Sequence, residues 1–476
     1  MTKRIVIVGG GIAGLAVAYR LRKTASGVCI TLLECDNRLG GKIVTERVNG
    51  FVIEGGPDTF LSYKPRGVGL CRELGLEDRL HGTNETIRRT YVMRRGKLYE
   101  LPEGLTGLIP SRFGPMAKTG LISPLGKLRM GLDFVIPPRP DEGDETLATF
   151  VQRRLGRELY DRLIEPLLSG IYAGDGEQLS LGATFPQLRQ IELDYGCLIK
   201  GMLAAKRNGV SSNGRRPDNP KRSAFLTPTT GLAEIVEALE AKLAGMEIWL
   251  GARVTRVSSN SSGYVLTLAD GVSLQADAVI FATPAYITAD LISDLDLPLA
   301  DALRSIPYVS TATVSVAYPL SDIPRPLDGY GYIIPRAEGR SILACTWTST
   351  KFPHRAPDGY GLIRAFIGRA GHEDILDRSD DELLMLVRDE LRAALGITAP
   401  PTLHRVFRWP KAMPQYTLGH LDRLKVIEES LVALPGLFVA GNAYRGIGIP
   451  DCIASGEAAA TEALAFIRTS LETVPA

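Results

Sequence analysis

The chain has 476 residues, enough for two large domains or about three ordinary ones. Its 55 Lys and Arg against 53 Asp and Glu leave a net charge of +2, which gives no electrostatic case for nucleic acid. Six cysteines, at 29, 35, 71, 197, 345 and 452, never form C-x-x-C, and the five histidines make no metal-binding spacing; this argues against zinc and against a disulfide framework, and points to the reducing cytoplasm.

Ile5 to Val8 run straight into Gly9, Gly11 and Gly14 in G-x-G-x-x-G spacing, and an apolar helical pattern of Leu15, Ala18, Tyr19 and Leu21 follows. This predicts a strand, a tight turn and a helix whose first residues, Ile12 and Ala13, offer backbone N–H groups to a diphosphate. A second strand, Cys29 to Leu33, ends in Glu34, twenty residues after Gly14, where a carboxylate can accept bonds from ribose hydroxyls. Lys3 and Arg4 before the first apolar run mimic a secretion signal, but three consecutive glycines at the strand end serve a nucleotide turn. Arg38, Gly40 and Gly41 resemble the R-x-G-G extension of large FAD oxidases, with Lys42 where many relatives carry a second arginine. That resemblance implies FAD rather than a nicotinamide. No histidine or cysteine is placed by a motif to attach the ring, so the expected FAD is non-covalent.

Further along, 251–257 (containing Val254), 264–268 and 276–284 are β-rich and separated by turn signals,. They are expected to complete a discontinuous FAD-binding domain of 1–89, 225–299 and 425–476. Its last piece is a strand, Gly436 to Gly441, then Asn442, and an alanine-rich helix from Ile453 to Ile467. Between these pieces lie a helical insertion at 90–205, with a helical pattern from Leu147 to Leu168 broken at Pro166, and a polar loop at 206–224. A substrate domain at 300–424 follows, whose alternating segments predict an antiparallel sheet. The fold class is therefore α/β: a two-dinucleotide-binding, Rossmann-like FAD domain, an antiparallel-sheet substrate domain and a helical insertion. No run reaches the roughly 18 apolar residues that a spanning helix needs, so any membrane contact is expected to be peripheral, on the inner face. Residues 118–132 could serve it, although ordinary packing predicts the same amphipathic pattern. Homodimerisation is left open.

The sequence Gly170-Ile-Tyr-Ala-Gly-Asp175, Val406-Phe-Arg-Trp-Pro410, Pro414-Gln-Tyr416, Gly419-His-Leu421 and Gly441 to Gly456 together resemble the oxygen-dependent protoporphyrinogen oxidases, nearly end to end. Glu54 to Leu61 is similar to the bacterial form, which includes enzymes that prefer coproporphyrinogen III. The resemblance implies cofactor contacts at Gly55, Gly56, Pro57, Val254, Gly441, Asn442, Gly448 and Ile449, besides those above. It implies removal of six electrons from a porphyrinogen in three flavin cycles, with molecular oxygen as acceptor and hydrogen peroxide as product. Protoporphyrinogen IX is the expected substrate and coproporphyrinogen III the alternative. No catalytic acid or base is expected, because the flavin does the redox work.

For the substrate, the resemblance implies Lys64, with Arg66 nearby, as a propionate partner and the Gly170 carbonyl as an acceptor of pyrrole N–H groups. Ile333 and Phe366 would sandwich the rings, and Thr346 stands where some relatives have leucine. Three rival readings of such a fold make different demands: a flavin amine oxidase should present an aromatic pair at the flavin, and Tyr444 alone does not make one. A carotenoid desaturase would lack the 171–175 segment, and a non-enzymatic prenyl-protein escort would have lost Glu34, Arg38 and Gly41.

Overall fold

The computed structural model describes residues 2–102, 105–106, 109–110, 113–140, 143–207 and 223–472. Five parallel strands form the first sheet, in the order Glu247–Trp249, Val28–Leu33, Lys3–Val8, Ala278–Phe281 and Leu437–Val439. They come from three separated stretches of chain. Ile5 to Val8 and Ala278 to Phe281 are covered on both faces, which is why they read as unbroken apolar runs. The helix Ile12–Thr24 returns the chain between the first two strands and packs on the long C-terminal helix, Ile449–Glu472. The two helices approach closely because the crossing is made by small residues: a Cβ on Gly456 would lie 2.4 Å from the Ala13 carbonyl. That helix begins four residues before the expected Ile453. A three-stranded meander, Val254–Asn260, Gly263–Leu268 and Ser273–Ala276, covers the other face of the sheet.

The second sheet has seven strands, in the order Leu403–Pro414, Tyr308–Pro319, Tyr360–Ile367, Ile342–Trp347, Gly331–Ile333, Tyr91–Arg94 and Lys97–Glu100. Two expectations are corrected here. Residues 91–100, placed by the sequence in a helical insertion, are edge strands of this sheet, and Tyr332 pairs with Tyr91 in parallel, so the sheet is mixed rather than antiparallel. The pairing spans 241 residues of chain (332 minus 91), so no local pattern could announce it. One face, through Val314, Tyr332, Cys345 and Ala365, packs on the helix Asp380–Leu395. The other faces the first domain.

The remaining helices build a third core around Phe150, Leu163, Ile164 and Leu168. Buried Arg154 pairs there with buried Asp133 at 2.5 Å and reaches the Gly196 carbonyl. The helix pattern from Leu147 breaks at Gly156, whose φ of 95° favours glycine,, and not at Pro166. That proline lies inside a helical run that passes from Arg157 through a π-helical turn, Tyr160–Ile164, into Glu165–Tyr172, and the π turn just before it accommodates the backbone bond that a proline cannot make. Most of the expected loop at 206–224 lies outside the described residues.

Candidate active site

The first glycine turn is shaped for a close-lying ligand. A Cβ at Gly14 would sit 1.9 Å from the Gly9 carbonyl, so the helix can pack on the turn only through glycine, whereas a Cβ at Gly11 would meet no protein atom within 4 Å. Gly11 caps Ile12–Thr24 without a side-chain hydrogen bond, and no acidic residue stands in the first turn. The helix N-terminus, with Ile12 and Ala13, is thus an uncompensated positive end beside open space, the arrangement that receives a diphosphate. Gly40 N–H donates to the Gly10 carbonyl at 2.9 Å, and Gly41 lies against the Gly11 Cα, so the R-x-G-G turn closes the other side.

Charges around this cradle are arranged differently from the sequence expectation. Arg38 turns back to donate to the carbonyls of Gly41, Leu39 and Ile43, at 2.6, 3.2 and 3.3 Å, so it braces the turn. Buried Glu34 accepts Gly10 N–H at 2.6 Å on Oε2, and Asp36 N–H at 2.8 Å and the Cys35 thiol at 3.2 Å on Oε1, so Oε2 retains a lone pair for a ribose hydroxyl. Ala252 N–H donates to the Glu34 carbonyl, which brings the strand beginning at Val254 beside it. Lys42 has no ion pair or hydrogen bond among the described residues, and burial pushes its ammonium below the usual lysine range, with only the Cys452 thiol opposing. An unmatched, half-buried cation is costly until an anion meets it,. A diphosphate is such an anion, and these residues fit FAD.

A second element, Gly55-Gly56-Pro57, is gripped from the seven-stranded sheet. The Gly55 carbonyl accepts Trp409 Nε1–H at 2.8 Å, Thr313 Oγ1–H at 3.0 Å and an Arg364 N–H at 3.3 Å, and Arg364 also donates to the Gly56 carbonyl. A Cβ on Gly56 would lie 1.9 Å from the Lys42 carbonyl, which locks the two loops together. Beside them, burial would raise the Asp58 carboxyl, but Lys351, 3.0 Å away, and Arg364 overrule it and hold it at about 2. Arg364 and Thr313 belong to no motif, and Trp409 stands in the family segment Val406 to Pro410 without a role that the segment assigns. The signal was present in Leu362 to Ile367, where a lone arginine interrupts an apolar strand.

Ile333, Ala344, Phe366, Thr313 and Phe407 form one cross-strand row, and Thr346, Arg364, Ser315 and Arg405 form the next. The structure therefore puts Ile333, Thr346 and Phe366 on one face of the sheet, from which Thr313 and Arg364 reach the first domain while Ile333 packs on the helical core. Gly170 is exposed on the helix Glu165–Tyr172, with open space where a Cβ would be, and its carbonyl receives no hydrogen bond among the described residues. Lys64 and Arg66 are differently placed. Both oxygens of Asp451 accept from the Lys64 ammonium, at 2.5 and 2.7 Å, and Arg66 is paired with Glu457 and Glu73. Neither presents a spare cation, because the C-terminal helix supplies carboxylates that the local sequence around 64–66 does not reveal.

The C-terminal motif forms the last wall. Gly441 has a φ of 124°, Gly448 N–H donates to Asp451 at 3.1 Å, and Ile449 opens the long helix. The Asn442 side chain has no partner among the described residues. Tyr444 is buried in the core of the first domain, so it offers no aromatic wall.

A model of the family described as flavin containing amine oxidoreductase matches residues 12–464. The chain is 39% identical to the coproporphyrinogen III oxidase of Bacillus subtilis, over 98% of each chain. It is 33% identical to the chloroplastic protoporphyrinogen oxidase 1 of Arabidopsis thaliana, over 98% of this chain and 89% of that one. A crystal structure from Exiguobacterium sp. 255-15, described as a candidate protoporphyrinogen oxidase, is 34% identical and superposes with a TM-score of 0.85 over 99% of this chain and 100% of that one. UDP-galactopyranose mutase, at 16% identity and a TM-score of 0.72 over 98% of this chain and 96% of that one, shares the fold. With an intact dinucleotide cradle and a family match across nearly its whole length, the chain belongs to the flavin containing amine oxidoreductases, and its cofactor is FAD.

Proposed function

We propose that this protein oxidises a porphyrinogen to the corresponding porphyrin, and that coproporphyrinogen III is the better of its two candidate substrates. The observation that carries the reading is the row Ile333, Ala344, Phe366, an apolar and aromatic strip of the sheet whose Ile333 end packs on the helical core that includes Leu168, two residues before the unbonded Gly170 carbonyl. A flat macrocycle whose pyrrole N–H groups need an acceptor suits that pairing. The bacterial coproporphyrinogen III oxidase named above is more similar than the plant protoporphyrinogen oxidase, which favours the substrate with four propionates over the one with two.

In this reading Gly9, Gly11, Ile12, Ala13, Gly14, Glu34, Gly40, Gly41 and Lys42 hold the nucleotide half of FAD, and Val254 lies along it. Gly55, Gly56, Pro57, Gly441, Asn442, Gly448 and Ile449 border the flavin half. FAD, when bound, supplies the two-electron oxidation and hands the electrons to molecular oxygen. The chain's own work is positional: the sheet holds the macrocycle, excludes water and accepts its N–H groups. Six electrons leave the substrate, so three oxygen molecules become three hydrogen peroxides for each porphyrin. The FAD is held non-covalently, and acid precipitation of the holoprotein should leave all the yellow colour in the supernatant; colour retained in the pellet would refute this.

Side-by-side turnover of the two porphyrinogens by FAD-loaded protein, followed by porphyrin fluorescence and peroxide release, tests the assignment. Faster oxidation of coproporphyrinogen III with three peroxides per porphyrin is expected. Turnover of neither would refute the activity, and a preference for protoporphyrinogen IX would overturn the substrate choice alone.

Among the described residues no helix is long and apolar enough to cross a membrane. Exposed Leu125, Leu128, Phe134 and Val135 lie close together in sequence on the helical region, and we propose that they give peripheral membrane contact. Co-sedimentation with anionic vesicles, lost on changing Leu125 and Leu128 to Ser, checks this. Equal sedimentation of both proteins would refute it.

A further inference from the structure

The loop that carries Asn442 is held by two side chains from outside it. Tyr416 is buried, and its hydroxyl donates to the Asn442 carbonyl at 2.7 Å while accepting Gly446 N–H at 2.8 Å. That one hydroxyl closes a turn across four residues, and its proton is spent on the backbone, leaving the Asn442 side-chain amide free for a ligand. Gly446 has a φ of 117° and packs so closely on Asp451 that a Cβ would fall 2.5 Å from its Cγ, so the turn has no slack on its other side.

His420 supports the tyrosine from beneath. The two rings stack at 4.2 Å between centroids with 13° between planes. His420 Nε2 lies 2.9 Å from the Tyr444 carbonyl; a carbonyl only accepts, so Nε2 carries the proton. Burial pushes the ring below the usual histidine range and keeps it neutral. Tyr416 and His420 thus hold residues 442, 444 and 446 of one loop. The same short segment is tied to the helical region: Gln415 donates to the Tyr172 carbonyl at 2.9 Å, and Ser180 N–H to the Tyr416 carbonyl at 2.8 Å. Tyr172 ends the helix that presents Gly170.

We propose that Tyr416 is a positioning residue for the flavin, with His420 as its support, setting the 442–446 turn against the cofactor and linking it to the Gly170 helix. This rests on the reading that the 441–449 loop borders the flavin. Holoprotein carrying Tyr416→Phe keeps the ring stack and loses the hydroxyl; flavin release on dilution, followed by recovery of free-flavin fluorescence, should show FAD bound about tenfold more weakly, since one buried N–H is left unpaired. The visible circular dichroism of the bound flavin should also change, which a merely structural role would not move. His420→Phe, which keeps the stack and drops the bond to Tyr444, should give the same spectral change with a smaller loss, and it serves as the test if Tyr416→Phe does not fold. Asn442→Ala separates the two levels. If Asn442→Ala alters FAD release while both clamp variants match the parent in release and spectrum, the clamp is refuted. If Asn442→Ala itself changes neither, the loop does not border the flavin and both readings fall.

Discussion

The guanidinium carbon of Arg364 lies 4.8 Å from the centre of the Phe366 ring, and the same guanidinium donates to the carbonyls of Gly55 and Gly56. One side chain thus joins the row that holds Ile333 and Phe366 to the Gly55-Gly56-Pro57 loop. A planar donor that stacks and bridges two carbonyls at once is a job for arginine and not for lysine.

Arg364→Lys should therefore keep the charge near Asp58 and lose the bridge. The expected outcome is a protein destabilised by about 2 kcal/mol with weakened FAD retention, measured by thermal denaturation and the ratio of flavin to protein absorbance. Parental values of both would show that the bridge does not matter.

Gly11 and Gly14 should respond differently to the same change. Gly11→Val adds atoms where the protein has none within 4 Å, so the chain should fold and fail to hold FAD. Gly14→Val drives a Cβ into the Gly9 carbonyl and should lose the folded domain. Circular dichroism and flavin content distinguish the two; stoichiometric FAD in folded Gly11→Val would remove the cradle from the cofactor site.

The ion pair between Lys64 and Asp451 makes a prediction opposite to that of a propionate anchor. Lys64→Ala should leave KM for a porphyrinogen within a few-fold of the parent, and its cost in stability should be non-additive with Asp451→Ala by about 1 kcal/mol, as expected of neighbours in contact. A tenfold to hundredfold rise in KM with additive stabilities would restore the anchor.

Phe366→Ala removes an aromatic wall from the row it shares with Ile333 and Ala344, and should lower kcat/KM by roughly tenfold or more while leaving FAD bound. Tyr332→Phe, on the opposite face of the same sheet, should leave kcat/KM unchanged. Equal effects of the two would mean that the substrate does not lie on this face.

His354 sets a pH dependence of stability. Burial, with Arg355 and His81 close by, lowers its pKa from 6.5 to about 4. At pH 7 it is neutral whether folded or unfolded and contributes no penalty. Below about pH 6.5 the unfolded chain takes up a proton that the folded one refuses, so stability should fall until about pH 4, by at most about 3 kcal/mol. His354→Gln should flatten that part of a denaturation series; an unchanged slope would assign it to other groups.

Local sequence determined the cofactor class and the kinds of element present. The glycine turn, Glu34 and the first strand and helix are written within 34 residues because each step obeys a short-range rule: a glycine where a Cβ would collide, an uncapped helix end, a period-two or period-3.6 apolar pattern. Ile333, Thr346 and Phe366 are singled out by the family resemblance and not by strand alternation; the cross-strand register shows that they share one face. Tertiary structure alone decided the rest. The partners of Lys64 and Arg66 are Asp451 and Glu457, 387 and 391 residues away; the strands at 91–100 join a sheet whose other members lie beyond residue 308; and Arg364, Trp409 and Tyr416 find their carbonyls on loops from other parts of the chain. Charge pairing, parallel strand register and side-chain to backbone bonds depend on distances in space between groups remote in sequence, and no local periodicity encodes which carboxylate or carbonyl will be waiting.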